Sequence, residues 1–194
     1  MKRTCILLLM AFLQSPAQGQ FVHHDLSASY GIVTSYQIMD VIEDVLVATF
    51  SFGNYEKEDY NYSGALFATY KYAPSFRVNT GLTFGVDRVR GDLIHNDIKY
   101  GDFSESHVTL AAEADYRWVK QEMVQLYTGL GLGYTFNRET GTYNDTGETD
   151  VNSSGNFAFQ ITPVGLRVGR QLGFFTELGF GYKGILNFGL SYRF

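Results

Sequence analysis

Strict alternation of apolar and other residues runs through most of the chain and constrains its fold more than any other feature. In residues 124–136, VQLYTGLGLGYTF, apolar side chains recur at every second residue, and three of the intervening positions are glycine. A period of two is typical of β-strands whose two faces meet different environments. The same alternation recurs in segments 26–32, 62–72, 76–87, 108–118, 157–168, 174–182 and 186–194. The sequence therefore predicts an all-β chain with eight strands, several of them long.

The alternation slips once, around Pro163. Phe157, Phe159 and Ile161 share one parity, whereas Val164 and the apolar residues after it take the other. Proline has no N–H to donate to a ladder and is confined to edges and bulges inside sheets. We therefore expect a β-bulge at Pro163.

The predicted connections between strands alternate in length. Three are long, at residues 33–59, 90–101 and 139–154, whereas the turns at 73–75, near 120, at 170–171 and near 183–184 are short. Short turns at one end and mostly longer loops at the other are typical of a transmembrane antiparallel up-and-down β-barrel. We therefore predict an eight-stranded barrel of this kind.

The first long loop breaks the period of two. Its apolar residues follow helical spacing, and its acidic residues take the opposite face, which predicts an amphipathic helix inside the loop. Such a helix can serve as a lid or plug, lie on the outer leaflet, or pack for stability alone. The apolar positions are Ile38, Val41, Ile42, Val45 and Thr49, and the polar positions are Gln37, Asp40, Glu43 and Asp44.

Charge separates the two faces of the predicted strands. One face carries charged residues within or near the ends of strands, and the other is nearly uncharged and bulky. Eight strands enclose room only for side chains or one small ligand, so the bulky face fits the outside of a barrel, against lipid. A soluble sandwich or lipocalin-like barrel is the alternative. The predicted charge network of the lumen comprises Arg77, Glu113, Asp115, Arg117, Arg167, Glu177 and Arg193.

Aromatic residues cluster at strand ends, as in the interfacial girdles of membrane barrels. The set near the short turns comprises Tyr70, Tyr72, Phe76, Tyr116, Trp118, Phe174, Tyr192 and Phe194. The set at the opposite ends comprises Tyr60, Tyr62, Tyr134, Phe136, Phe157, Phe159 and Tyr182.

The amino-terminal residues 1–19 have the pattern of a cleaved secretory signal peptide. Lys2 and Arg3 precede a short apolar run, and Ala17 to Gly19 form a small-residue cleavage site. Residues 20–194 are then one barrel domain without cysteine. Its 13 basic residues (15 − 2) against 20 acidic ones give a net charge of −7, which argues against a nucleic-acid partner.

The chain resembles the small eight-stranded bacterial outer-membrane barrels of the family that includes the OmpA transmembrane domain and OmpX. The resemblance lies in the signal peptide, the alternating strands and the terminal strand with Leu190, Tyr192 and Phe194. It implies residence in the outer membrane of a Gram-negative bacterium, among its lipids and lipopolysaccharide. It also implies insertion by the barrel-assembly machinery, which reads Leu190, Tyr192 and Phe194 as an assembly signal. It implies no particular activity.

The remaining residues favour a non-enzymatic protein with a structural or surface-interaction role through acidic extracellular loops. The four histidines, His23, His24, His95 and His107, lie in no recognised catalytic or metal-binding pattern, so we predict no catalytic residue, metal or cofactor. The alternatives are an outer-membrane lipid-modifying enzyme, similar to a lipid A deacylase or acyltransferase, and a narrow ligand-binding barrel.

Overall fold

The strands form a single antiparallel sheet. A computed structural model of the protein describes residues 23–34, 56–62, 64–95, 98–143 and 149–194. The predicted helix lies outside these residues. No helix in the described part of the chain is long and apolar enough to cross a membrane. The strands are β1 (His24–Ile32), β2 (Glu56–Tyr62), β3 (Ala65–Tyr72), β4 (Val78–His95), β5 (Ile98–Lys120), β6 (Val124–Tyr143), β7 (Thr149–Gly169), β8 (Leu172–Gly181) and β9 (Leu186–Arg193).

Eight of these strands close into a ring. From β3 to β9 each strand pairs with the next along the chain, and β1 pairs with both β3 and β9. Ala28 of β1, for example, lies opposite Ala68 of β3 on one side and Leu190 of β9 on the other. The predicted all-β, antiparallel, eight-stranded up-and-down barrel is confirmed.

The ninth strand, β2, lies in line with β3, and the two are separated by a short interruption of the strand. Both pair with β4: Tyr62 of β2 lies opposite Val89, and Leu66 of β3 lies opposite Val86. Gly64, between them, has a φ of 69°, a left-handed conformation that glycine adopts without steric cost. One long strand is therefore interrupted near Gly64 and counts as two.

The three long loops are shorter than the sequence predicted. β2 occupies part of the predicted loop 33–59, and β4 and β5 extend to His95 and Ile98 within the predicted loop 90–101. β6 and β7 likewise extend to Tyr143 and Thr149 within the predicted loop 139–154. The prediction was wrong because the outward apolar residues stop while the hydrogen-bonded ladder continues. On β6 and β7 polar residues occupy both faces of the extensions, and on β4 the outward Arg88 and Arg90 flank the buried Val89.

The predicted bulge at Pro163 is confirmed. Between the pairs Ile161–Phe180 and Val164–Leu178, β7 contains one more residue than β8. The Thr128 hydroxyl donates to the Pro163 carbonyl at 2.9 Å. This bulge restores the outward direction of the apolar residues after Pro163.

The described residues include all the short turns at one end of the barrel. His24 and Phe194 exchange two backbone hydrogen bonds of 3.0 Å at the end that carries the short turns. We call this the terminal end, and the opposite end the loop end. Inward side chains are mostly polar and buried, and outward side chains are mostly apolar and exposed. The barrel is therefore polar inside and apolar outside.

Candidate functional site: the charged lumen

Glu113 is the centre of the largest ionic cluster in the lumen. Its side chain is 6% exposed, and it accepts hydrogen bonds from the Thr83 hydroxyl at 2.6 Å and the Tyr182 hydroxyl at 2.7 Å. The Lys183 ammonium lies 2.7 and 2.9 Å from its two oxygens, and the Lys71 ammonium lies 3.2 Å away. Two cations and two hydroxyls thus compensate the loss of water around one buried carboxylate.

Lys183 reaches this cluster because the β8–β9 turn folds into the barrel. Tyr182, Lys183 and Gly184 are all buried, and the Lys183 N–H donates to the Gln160 side-chain oxygen at 2.8 Å. A Cβ at Gly31 of β1 would collide with the Lys183 carbonyl oxygen, so only glycine lets the turn lie this close. The turn therefore covers the ionic cluster from the loop end.

A second layer lies nearer the terminal end. Asp115 contacts Lys71 at 2.9 Å and Arg117 at 3.4 Å. Glu177 accepts from the Tyr127 hydroxyl and from the Asn187 amide, both at 2.8 Å. Lys71 contacts both Glu113 and Asp115, so it joins the two layers into one network.

A third layer closes the lumen at the terminal end. Asp25 accepts from Arg193 at 3.1 Å, and Arg193 also donates to Gln125. Arg167 donates to Ser191 at 2.6 Å and to the carbonyl oxygen of Gly169 at 2.6 Å. The three layers thus place ion pairs in the described lumen from the turn containing Lys183 to the terminal end.

The structure brings together six of the seven residues predicted for the lumen network. The exception is Arg77, whose exposed side chain donates to the outward-facing Tyr116 hydroxyl at 3.1 Å. Arg77 lies in the bend before β4, where strand parity no longer determines the direction of a side chain. The prediction for Arg77 was wrong. The network in the structure also contains Lys71, Lys183 and Asp25, which the sequence analysis did not predict. Lys183 lies in a turn, where no periodic pattern indicates the direction of a side chain.

Most of the predicted girdle residues are exposed on the outside of the barrel. All eight of the short-turn set are exposed, and His24 stacks on Phe194 with ring centroids 5.5 Å apart. Tyr182 was assigned to the wrong face, because it is 2% exposed and points into the lumen. The side chains of Tyr60 and Tyr62 lie outside the described part of the structure.

Two of the described histidines hydrogen-bond to residues other than serine. His107 faces the lumen and bonds the Asn137 side-chain oxygen through Nδ1 at 2.9 Å, whereas Ser106 has the opposite parity. His24 bonds the Tyr70 hydroxyl at 2.6 Å. Among the side chains that the structure describes, no group of three His, Cys, Asp or Glu residues is arranged to hold a metal ion.

Register and burial together define the class of protein: a closed eight-stranded antiparallel barrel with an ionic lumen and an apolar exterior. No protein-family model matches the sequence, and no curated protein does.

Among solved structures, the chain is similar to Ail, the attachment invasion locus protein of Yersinia pestis. The identity is 13% and the TM-score is 0.47, over 89% of this chain and 97% of that one. The same protein in complex with the heparin analogue sucrose octasulfate matches at 14% identity and a TM-score of 0.47, with the same coverage. The N-terminal β-barrel domain of Pseudomonas aeruginosa OprF matches at 13% identity and a TM-score of 0.45, over 91% of this chain and 100% of that one.

Proposed function

We propose that the protein is an integral β-barrel of the outer membrane of a Gram-negative bacterium, without enzymatic activity. One observation carries the proposal: the outward face has an apolar band of the height of a bilayer core. On β5 the band runs from Val108 to Tyr116, beyond which Ser106, Ser104 and Asp102 take the outward positions. About nine residues of about 3.4 Å each, tilted by about 40°, span about 23 Å. Known membrane barrels have an apolar band of about 25 Å.

The exposure of large apolar side chains supports this reading. Leu130 and Leu132 of β6 are 60% and 59% exposed, and Leu82 of β4 is 60% exposed. Apolar patches larger than a few hundred Å² are rare on soluble monomers. Here the exposed apolar residues occur on all eight strands of the ring. Lipid can cover such a belt on every side, whereas one protein partner covers only part of it.

The filled lumen supports a structural or surface-interaction role rather than transport. The ionic layers occupy the barrel interior, and the turn containing Lys183 lies over them. We therefore expect negligible ion conductance through the barrel. The strand extensions and acidic segments at the loop end are the parts proposed to face the outside of the cell.

Further parts of this proposal rest on residues or partners outside the described structure. Residues 1–19 are proposed to be a cleaved signal peptide, and Leu190, Tyr192 and Phe194 to be read by the barrel-assembly machinery. Lipopolysaccharide and the other outer-membrane lipids are proposed as surrounding partners. Protease shaving of tagged cells tests the orientation: tags within 139–154 should be accessible and a tag at Lys120 should not.

Tryptophan fluorescence tests the membrane assignment directly. Trp118 is the only tryptophan of the chain, and it is exposed near the terminal end of the apolar band. In vesicles of brominated lipids, bromines near the headgroup should quench Trp118 most. In a Trp118→Phe, Leu132→Trp variant, bromines deep in the acyl chains should quench most, because Leu132 lies in the middle of the band. Protein that stays soluble without detergent and shows no quenching would contradict the proposal.

A further inference from the structure

The outer surface has a depression over β8, β9, β1, β3 and β4. Its volume is about 620 Å³, and its lining is almost entirely apolar. Two small residues, Ala28 of β1 and Ala68 of β3, lie directly opposite each other in the ladder and face outward. Larger side chains border them on every side: Tyr30, Leu66, Phe84, Val86, Phe174, Phe188 and Leu190. The missing side-chain volume at the two alanines therefore forms a groove within the apolar band.

The groove continues toward the loop end into a second depression of about 470 Å³. The two share Leu66 and Val86, and the lining of the second also contains Arg88, Arg90 and Ser106. Arg88 and Arg90 have the same outward parity as Phe84 and are exposed. Asp87 and His107 also line this second depression, but they have the inward parity, so the apolar groove leads on the outer surface to two exposed arginines.

A third arginine, Arg138, lies on β6, two strands away from Arg88 and Arg90 on β4. Arg88 lies opposite Ser106 of β5, and Ser106 lies opposite Arg138 of β6, which is also exposed. Two strand spacings separate the backbones of Arg88 and Arg138 by about 10 Å. Arg90 follows two residues beyond Arg88, about 7 Å along the strand. Three exposed arginines therefore lie on neighbouring outward positions just beyond the apolar band, in a mature chain predicted to carry a net charge of −7.

An apolar groove beside three arginines fits an amphiphile with an acyl chain and a phosphate. Guanidinium groups bind phosphate through paired, planar N–H donors, and they do so more strongly where water is partly excluded. A groove lined by apolar side chains takes a hydrocarbon chain. The two parts are connected along β4, where about 13 Å separates Phe84 from Arg88. One molecule with a phosphate and an acyl chain can occupy both.

We infer that this surface binds a phosphorylated lipid of the outer leaflet. Its phosphate lies on Arg88, Arg90 and Arg138, and one acyl chain lies in the groove over Ala28 and Ala68. The inference rests on the proposed membrane location. The proposed ligand is a membrane lipid with the phosphates and acyl chains of lipid A. Free inorganic phosphate is the alternative ligand, and the experiment below distinguishes the two.

Lipid binding in nanodiscs of neutral phosphatidylcholine tests the inference. Lipid A, or lipid A stripped of its phosphates, is added in small amounts, and bound lipid is measured by native mass spectrometry. We expect a preference for the phosphorylated form. Substituting Arg88, Arg90 and Arg138 together by glutamine should lower that affinity about a hundredfold, because each contributes roughly a factor of five at an anionic surface. The matched control is Arg170→Gln, an exposed arginine at the terminal end, which should leave affinity unchanged.

A second pair of variants tests the groove. Ala68→Leu fills it and should weaken lipid A binding, whereas Ala112→Leu adds the same volume at an outward alanine of β5 outside the groove and should not. Equal binding of both lipid forms, equal effects of the two leucine variants, or displacement of lipid by millimolar inorganic phosphate would overturn the inference. Trp118 quenching in the same nanodiscs separates the two proposals. Insertion without lipid preference refutes only this one, and failure to insert refutes both.

Discussion

Removing the charge of Glu113 should destabilise the barrel more than removing any single surface charge. Glu113→Gln keeps the shape of the side chain but leaves the ammonium groups of Lys71 and Lys183, now 3.2 and 2.7 Å from a neutral group, short of one counter-charge. Breaking a buried ion pair costs about 3–5 kcal/mol. Lys71 keeps Asp115 at 2.9 Å and Lys183 keeps Glu177 at 3.6 Å. We therefore expect the lower end, about 3 kcal/mol.

Urea unfolding in liposomes or detergent micelles measures this free energy, and a double-mutant cycle isolates the pair. Lys183→Met removes the partner, and the double variant Glu113→Gln, Lys183→Met should cost about 1–3 kcal/mol less than the two single changes added together. Glu122→Gln is the control, since Glu122 is 82% exposed and its partner Arg170 lies 3.6 Å away. Such surface pairs contribute at most about 1 kcal/mol. Additive single changes, or a Glu113→Gln variant as stable as Glu122→Gln, would refute the reasoning.

Three further outcomes follow from the same structure. Leu130→Arg on the apolar band should lower the free energy of unfolding by about 2–4 kcal/mol, measured by urea titration in liposomes. Leu130→Ala should lower it less, because alanine brings no charge into the lipid. Equal losses of stability would contradict a lipid-facing Leu130. Gly31→Val should displace the turn containing Lys183 and lower the unfolding temperature, since a Cβ there meets the Lys183 carbonyl; Gly141→Val is its control, because a Cβ at Gly141 has no atom within 4 Å. Deleting Phe194 should lower the fraction of heat-modifiable barrel in isolated outer membranes, and wild-type levels would remove its assembly role.

The strands of the barrel were predictable because burial differs between their two faces. Within the apolar band each strand alternates between the exterior and the lumen of the barrel, and the period of two reports this directly. Pro163 was predictable for a related reason, since the phase of the alternation changes there. The extensions of β4 to β7 were not predictable, because the outward apolar residues that marked the strands do not continue into them.

The lumen was predictable only where strand parity applies. Glu113, Asp115 and Glu177 lie in the middle of strands, so their direction follows from that of their neighbours. Lys183 and Tyr182 lie at a turn that folds inward, and only the close approach of that turn to Gly31 explains their position. A sequence pattern records the environment of a strand but not the path of a turn.

The pairing of β1 with β9 has a consequence for how fast the protein reaches its native state. Asp25 and Arg193, which are hydrogen-bonded across this seam, are 168 residues apart in sequence. Contacts between distant residues incur the entropy of closing a long loop before they stabilise anything, so proteins rich in them fold slowly. No subset of neighbouring hairpins can close the ring without this seam. The barrel should therefore have a long-lived open intermediate with two unpaired edges, which a partner that binds strand edges can protect from aggregation.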